Sequence, residues 1–206
     1  MRVIKFALTM VFAVAGLVFF ADQRAEAGEG IPLKALAGNY SFTTPGSYSI
    51  CLDPKTFAGV DCATFSGPLV VPFTYVAVGA LTRDNKGNSC GTWTEVSSVP
   101  VGNTLPLTPP IVGMGTHAVG KISAYDPTTG TGDINFTNYQ GGKCNGSAFD
   151  STGATETQTN ASHFAASNGG KRMDLVFTSA IAFVTGTTGN VIGDFSFSSI
   201  FLKQEN

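Results

Sequence analysis

Charged side chains are scarce in this sequence. Lysine and arginine number 12 and aspartate and glutamate 14, together 13% of the 206 residues, whereas a typical soluble domain is about one quarter charged. Because mostly helical proteins use lysine, glutamate and arginine on their surfaces, this shortage disfavours an all-α fold. The net charge of −2 also lacks the positive surface that nucleic-acid binding requires, so we predict no nucleic-acid partner.

Metal-binding and catalytic patterns are also missing. The two histidines, His117 and His163, have no Cys, Asp or Glu at ligand spacing, and no two cysteines have CxxC spacing. The HExxH motif is absent, and no spacing of serine, histidine and aspartate points to a catalytic triad. We therefore predict no metal site, no cofactor and no catalytic residue; these absences favour a non-enzymatic protein but leave enzymatic activity open.

The N-terminal residues have the pattern of an export signal. Arg2 and Lys5 precede an apolar stretch over residues 6–20, and the small-residue pattern A-x-A follows at residues 25–27. An uncleaved anchor is disfavoured because the apolar stretch is shorter than the roughly 20 residues that span a bilayer. We predict that residues 1–27 are a signal peptide and that the mature protein is secreted or periplasmic, with no membrane span after cleavage.

Four cysteines lie in the predicted mature region, and an even number in an exported chain indicates two disulfides. The preferred pairing is Cys51–Cys62, which closes a local loop containing proline and glycine, and Cys90–Cys144, which joins two positions beside turns. The other two connectivities remain open at this stage. A disulfide over the longer of these loops is expected to stabilise the fold by roughly 3–5 kcal/mol.

Hydrophobic residues alternate with polar residues from Asn39 onward, which is typical of β-strands. Glycine- and asparagine-rich turns separate the alternating segments at 84–88, 126–130, 168–170 and 187–190. The pattern predicts an all-β fold of eight to ten antiparallel strands in a single domain, residues 28–206. An up-and-down meander closed into a barrel removes its exposed edges. A β-sandwich is the alternative, because the proline-rich connection near 100–115 is long enough for a crossover.

A resemblance to calycin (lipocalin-like) barrels supports the barrel. The segment Leu36-Ala37-Gly38-Asn39-Tyr40-Ser41-Phe42 resembles the entry of such barrels, where a helical turn leads through G-x-aromatic into the first strand. The end of the last strand, Leu202-Lys203, is similar to the family's closing strand. The repeated strand–turn–strand pattern also resembles small exported bacterial barrels of unknown function. The resemblance implies that Tyr40 plugs the barrel floor in place of the usual tryptophan. It also implies that Lys203, in place of the usual arginine, covers that ring.

Six residues are candidates for ligand binding. Trp93 and Glu95 share one face of a predicted strand: inside the barrel Glu95 would be buried with a raised pKa, whereas outside it would be solvated. Four more apolar residues either line a pocket or fill the core: Met173, Phe177, Phe195 and Phe197. An eight-stranded barrel is just wide enough for either arrangement.

The expected function is non-catalytic binding of a small apolar or amphipathic molecule inside an exported barrel. A structural or surface-interaction protein with a filled core is the alternative, and a barrel isomerase or cyclase comes third. A cavity of a few hundred Å3 would favour binding or catalysis over the structural function.

Overall fold

The computed structural model describes residues 30–98, 116–182 and 189–205, and the chain from Ile31 onward forms one compact unit. The predicted signal peptide and the predicted proline-rich connection fall outside the described residues. Short 3-10 turns occur at Leu33–Leu36 and Asn168–Gly170. The strands of the described part are β1 (Gly38–Leu52), β2 (Leu69–Arg83), β3 (Asn88–Ser98), β4 (His117–Asp126), β5 (Thr131–Gln140), β6 (Lys143–Asn145), β7 (Ala148–Asp150), β8 (Thr155–Ser167), β9 (Arg172–Ala182) and β10 (Ile192–Lys203).

Eight of these strands close into an antiparallel barrel. Each of β1 to β4 pairs with the next strand in sequence, and β5 pairs with β8. β8 pairs with β9, β9 with β10, and β10 returns to pair with β1. The strands β6 and β7 form a separate two-stranded ribbon between β5 and β8. The predicted all-β up-and-down barrel is confirmed, and the sandwich alternative is wrong. Within the described residues, no helix is long and apolar enough to cross a membrane.

The barrel strands bend at irregularities in their pairing. The pairing of β1 with β2 runs without a shift, but β1 shifts against β10 between Tyr48 and Ile50. Further shifts leave one extra residue in β4 after Ile122 and one in β9 opposite Ala161 and Ser162. Extra residues of this kind bend a strand and increase its twist. The long strands can therefore curve around a closed barrel.

One end of the barrel, which we call the floor, is closed by the first 3-10 turn. The fully buried Tyr40 has its hydroxyl 2.9 Å from the carbonyl oxygens of Leu36 and Gly170. Lys203 Nζ donates to the carbonyl of Ala35 in the same turn, at 3.0 Å. The cation above the Tyr40 ring is the guanidinium of Arg83, 5.3 Å from the ring centroid. The expected aromatic plug is present, but Arg83 covers it and Lys203 tethers the turn.

Both predicted disulfides are present. Cys51–Cys62 and Cys90–Cys144 have Cα–Cα distances of 5.3 and 5.6 Å. The first holds the connection after β1 against the end of the barrel opposite the floor. The second joins β3 to the β6–β7 ribbon, where the Phe149 ring lies 4.7 Å from that of Tyr139. The disulfide therefore fixes a small apolar contact on the outside of the barrel wall.

The barrel interior contains two apolar clusters. The floor cluster includes Tyr40, Leu81 and Phe201, and the second cluster, at the opposite end, includes Tyr48 and Phe197. Inward-facing polar side chains lie on the strands between them. Thr44 and Ser199 occupy those positions on β1 and β10, with their hydroxyl oxygens 2.5 Å apart. The interior is therefore not a continuous apolar core, because a polar layer separates its two ends.

Candidate functional site

Two cavities lie in the barrel interior. The central cavity has a free volume of about 400 Å3, counting its opening to solvent, and the tyrosine cavity about 330 Å3. The central cavity is lined by Phe42, Thr44, Leu81, Trp93, Ala118, Phe136, Asn138, Asn160, Phe177, Ser199 and Phe201. The tyrosine cavity is lined by Tyr48, Tyr75, Trp93, Glu95, Gln158, Ile192 and Phe197. Both volumes include space that is open to solvent, so neither is the volume of an enclosed cavity.

Trp93 is the wall that the two cavities share. It lies on β3 with the same inward alternation as Ser89 and Gly91, two small buried residues nearer the floor. The indole Nε1 is buried and has no hydrogen-bond partner in the protein. An unpaired buried donor costs about 1–3 kcal/mol. Arg83 and Ser89 also have buried side-chain atoms without a partner, but of these three residues only Trp93 lines the cavities.

Glu95 also faces the interior, which resolves the two alternatives left by the sequence. Its carboxylate accepts a hydrogen bond from the Ser97 hydroxyl at 3.2 Å, and Ser97 Oγ accepts one from the Tyr48 hydroxyl at 3.4 Å. Burial raises the pKa of Glu95 to about 7, although hydrogen bonds from Ser97 and Tyr75 act in the opposite direction. Glu95 can therefore exchange a proton near neutral pH.

Aromatic rings surround the carboxylate. The Tyr75 ring lies 5.3 Å from Phe197 and 6.1 Å from Tyr48, centroid to centroid, and neither pair is parallel. Burial is the main cause that raises the pKa of both tyrosines above the ordinary value. Both phenols are therefore neutral across the physiological range. The carboxylate of Glu95 is the only group of the tyrosine cavity's described lining that ionises near neutral pH.

Amide side chains form a network beside the central cavity. Asn138 Nδ2 donates to Gln158 Oε1 at 3.2 Å, and Gln158 Nε2 donates to Asn160 Oδ1 at 2.8 Å. Asn138 continues the inward alternation of Ile134 and Phe136 on β5. Because each amide is oriented by its neighbour, the network presents fixed polar atoms to the cavity.

The six predicted ligand-binding residues occupy three different environments. Trp93, Glu95 and Phe197 line the tyrosine cavity, and Trp93 and Phe177 line the central cavity. Met173 lies outside both cavities, because it begins β9 at the floor and its sulfur contacts Arg83. Phe195 also lies outside both, stacked on Phe197 at a centroid distance of 5.8 Å.

Several lining residues were not among the sequence candidates. Tyr48 and Tyr75 lie two residues from the buried Ile50 and Phe73, on the same face of β1 and β2. The inward amides Asn138 and Asn160 carry no hydrophobic signal, since a polar residue in an alternating strand is typical of the outer face. If the alternation of inward and outward residues is continued through the polar positions of each strand, these two tyrosines and two asparagines all fall on the inward face. Only closure of the barrel, however, brings β1, β2, β5 and β8 around one interior.

The chain contains one more pattern associated with catalysis. Residues 87–91 read Gly-Asn-Ser-Cys-Gly, which matches G-x-S-x-G. A nucleophile elbow joins a strand to a helix and exposes its serine. Here the segment leads from a hairpin turn into β3, and Ser89 is fully buried. The segment is therefore not a nucleophile elbow.

Neither histidine is part of the interior site. His163 contacts Asp133 across the β5–β8 pair, and both side chains are exposed. His117 lies beside the ring of Phe149 in the external ribbon. In the described ranges, no three His, Cys, Asp or Glu side chains are grouped as metal ligands would be. The chemistry of the interior therefore depends on Glu95, Trp93 and the hydroxyl and amide groups.

Comparison with protein-family models finds no match for this chain. Comparisons with curated proteins and with solved structures also find none. The resemblance to calycin-like barrels consequently depends on the short segments at either end of the barrel sequence. Any assignment of function depends on the geometry of the interior.

Proposed function

We propose that this protein is an exported, non-catalytic β-barrel that binds a small amphipathic molecule in its interior. The observation that carries the proposal is that Trp93, a residue in the lining of both cavities, has a buried Nε1 with no hydrogen-bond partner in the protein. A protein that served only as a filled scaffold would gain stability by pairing or replacing this group. A bound molecule with an acceptor atom would satisfy it.

The two cavities support an amphipathic rather than a wholly apolar ligand. Aromatic and aliphatic walls in the central cavity, such as Phe136 and Phe177, favour apolar groups at about 25 cal/mol per Å2 of buried surface. Asn138 and Asn160 in the same lining carry hydrogen-bonding groups. Pockets that combine apolar walls with a few oriented polar groups are the usual form of small-molecule sites.

Binding is tested by replacing Trp93 with phenylalanine, which keeps an aromatic wall but removes the N–H. The probe is 6-propionyl-2-(dimethylamino)naphthalene (prodan), which is uncharged and apolar and carries a carbonyl acceptor. We expect Trp93→Phe to weaken prodan binding by about 2–10-fold, the value of one net hydrogen bond. Fluorescence titration measures the affinity. Val96→Ala, on the exposed face of the same strand, is the control that leaves affinity unchanged.

Mass spectrometry of protein purified gently from its native host provides a second test. We expect a retained organic molecule of low mass that is lost on denaturation. If no molecule is retained and the parent protein does not bind prodan, the structural alternative with a filled core replaces the binding function.

Export is a separate prediction. If residues 1–27 are a signal peptide, the mature chain begins at Gly28, and two disulfides suit the oxidising compartment that it then enters. N-terminal sequencing of protein from the native host checks this prediction. A mature chain that retains Met1 would contradict cleavage.

One observation favours the isomerase or cyclase as a second candidate. A carboxyl group whose pKa is raised to about 7 in a cavity is suited to general acid–base catalysis at neutral pH. Glu95 would accept a proton from one carbon or oxygen of a bound substrate and return it to another. Chemical conversion of the molecule retained by the purified protein, abolished in Glu95→Gln, would favour this function over simple binding.

A further inference from the structure

We propose that the tyrosine cavity binds the protonated amino group of a ligand whose apolar body extends into the central cavity. This inference rests on the proposed binding function and specifies the ligand's chemical class. It depends on a carboxylate and four aromatic rings around one small space: Glu95 with Tyr48, Tyr75, Trp93 and Phe197.

The arrangement of the rings fits an organic cation. Tyr48 and Tyr75 meet edge to face, with an interplanar angle of 78°, and Phe197 is tilted by 57° against Tyr75 and by 50° against Tyr48. Rings that are not parallel direct faces and edges toward a common space rather than stacking into one slab. A cation within about 6 Å of a ring face is attracted by the ring quadrupole, and more strongly where water is excluded.

Glu95 supplies the negative charge for that cation, and the described lining of the two cavities contains no counter-ion. None of the side chains that line the two cavities in the described structure is Lys, Arg or His. Arg83 is eight residues along β2 from Tyr75, about 26 Å at 3.3 Å per residue, and it lies over Tyr40 at the floor. The two internal segments outside the description, 99–115 and 183–188, contain no Lys, Arg or His in their sequence.

The titratable groups that face Glu95 do not replace the missing cation. On β1 and β2 they are the phenols of Tyr48 and Tyr75, whose raised pKa values keep them neutral. The described lining residues of β8 and β10 are the neutral Gln158, Ile192 and Phe197. A buried carboxylate without a cation is costly unless it is protonated, which agrees with its raised pKa. A ligand ammonium would restore the ionised form.

The same geometry disfavours other ligand charges. A carboxylate ligand would place a second negative charge beside Glu95, and a neutral alcohol would gain no charge interaction. Trp93 Nε1 is a donor, so a ligand that also carries a hydroxyl, ether or carbonyl oxygen would satisfy it. The favoured class is therefore an alkyl- or arylamine, with an additional oxygen acceptor giving further affinity.

Three probes with the same apolar body test the inference: 2-phenylethylamine, 2-phenylethanol and 3-phenylpropionate, charged +1, 0 and −1. Trp93 is the single tryptophan of the chain, so its fluorescence reports occupation of the cavity directly. At pH 8 we expect the amine to bind at least tenfold more tightly than the alcohol, and the carboxylate to bind most weakly. Isothermal titration calorimetry on the same samples gives an independent dissociation constant.

The pH dependence has a definite sign. The amine stays protonated from pH 5.5 to 8, while Glu95, with a pKa of about 7, is mostly ionised only at the upper end. Amine affinity should therefore rise with pH and then level off. Below the pKa of Glu95, the affinity should increase by nearly tenfold for each pH unit. Affinity for the alcohol should show no such rise.

Two variants separate the role of the Glu95 charge from the effect of replacing any glutamate with glutamine. Glu95→Gln should abolish both the amine preference and its pH dependence while retaining the fold. Glu205→Gln makes the same chemical change in an exposed ion pair with Lys171, and it should leave both unchanged. An amine preference that survives Glu95→Gln, or an alcohol that binds as tightly as the amine at pH 8, overturns the inference.

The outcome for prodan distinguishes failure of the amine inference from failure of the proposed function. If prodan binds but none of the three phenyl probes shows an amine preference, the interior is a binding site and the amine inference is wrong. If neither prodan nor any phenyl probe changes the Trp93 fluorescence or releases heat, both are wrong.

Discussion

Replacing both Cys90 and Cys144 with alanine is expected to lower the free energy of unfolding by about 4 kcal/mol. Their disulfide spans a sequence separation of 54, so its loss releases a long loop in the unfolded chain. Removing Cys51–Cys62, with a separation of 11, should cost about 3 kcal/mol by the same argument. Urea unfolding of the two double variants beside the parent protein measures both values.

The order of the two losses is the informative result. The longer loop predicts the larger loss, and loosening the β6–β7 ribbon beside Phe149 would add to it. A smaller loss for the Cys90/Cys144 variant than for the Cys51/Cys62 variant would contradict the loop argument. A thiol assay on the denatured, unreduced parent protein is the control, since all four cysteines are paired and no thiol should react.

The barrel was predictable because its local signals agree. Alternation marks the strands, and the Asp84, Asp126 and Asn168 turns connect neighbours in the sheet. Consecutive hairpins favour a meander, and a meander without exposed edges must close. The β6–β7 ribbon was not predicted, because strands of three residues leave no periodic signal. Its position depends on a disulfide and a ring contact with distant residues.

Which face of a strand points into the barrel was harder to predict than the position of the strand in the sequence. On β3, the residues that precede Trp93 on the inner face are Ser89 and Gly91, which carry no hydrophobic signal. A side chain at Gly91 would collide with the backbone oxygen of Ala80 and with Leu81 on β2, so this inward position is a glycine. A period of two therefore could not show whether Glu95 was inside. Packing against another strand determines this, and that information is not local.

Met173 and Phe195 illustrate the same limit. Both have the alternation expected of interior residues, and Met173 is fully buried. The alternation does not specify depth along the barrel axis, which separates a floor residue from a cavity residue. Depth follows from strand register, and the register here depends on irregularities such as the one beside Tyr48. The sequence could therefore indicate an apolar interior but could not divide it into floor and cavities.

Phe73→Ala is expected to destabilise the protein by about 3–5 kcal/mol. The Phe73 ring is 1% exposed, stacks on Tyr48 at 5.2 Å and lines neither cavity. Truncating it leaves a new void in a region that is filled. Urea unfolding gives the loss, and prodan affinity should change little because the site retains its walls.

Phe197→Ala is expected to destabilise less than Phe73→Ala, by about 1–2 kcal/mol, and to alter prodan affinity. Phe197 is also buried, at 8% exposed, but one side of its ring borders the tyrosine cavity. That side already lacks packing partners, so less contact energy is lost on truncation and the cavity is enlarged instead. The comparison of the two phenylalanines therefore distinguishes a ligand cavity from a filled core. Equal losses near 4 kcal/mol, with no prodan binding by the parent protein, would favour the structural function.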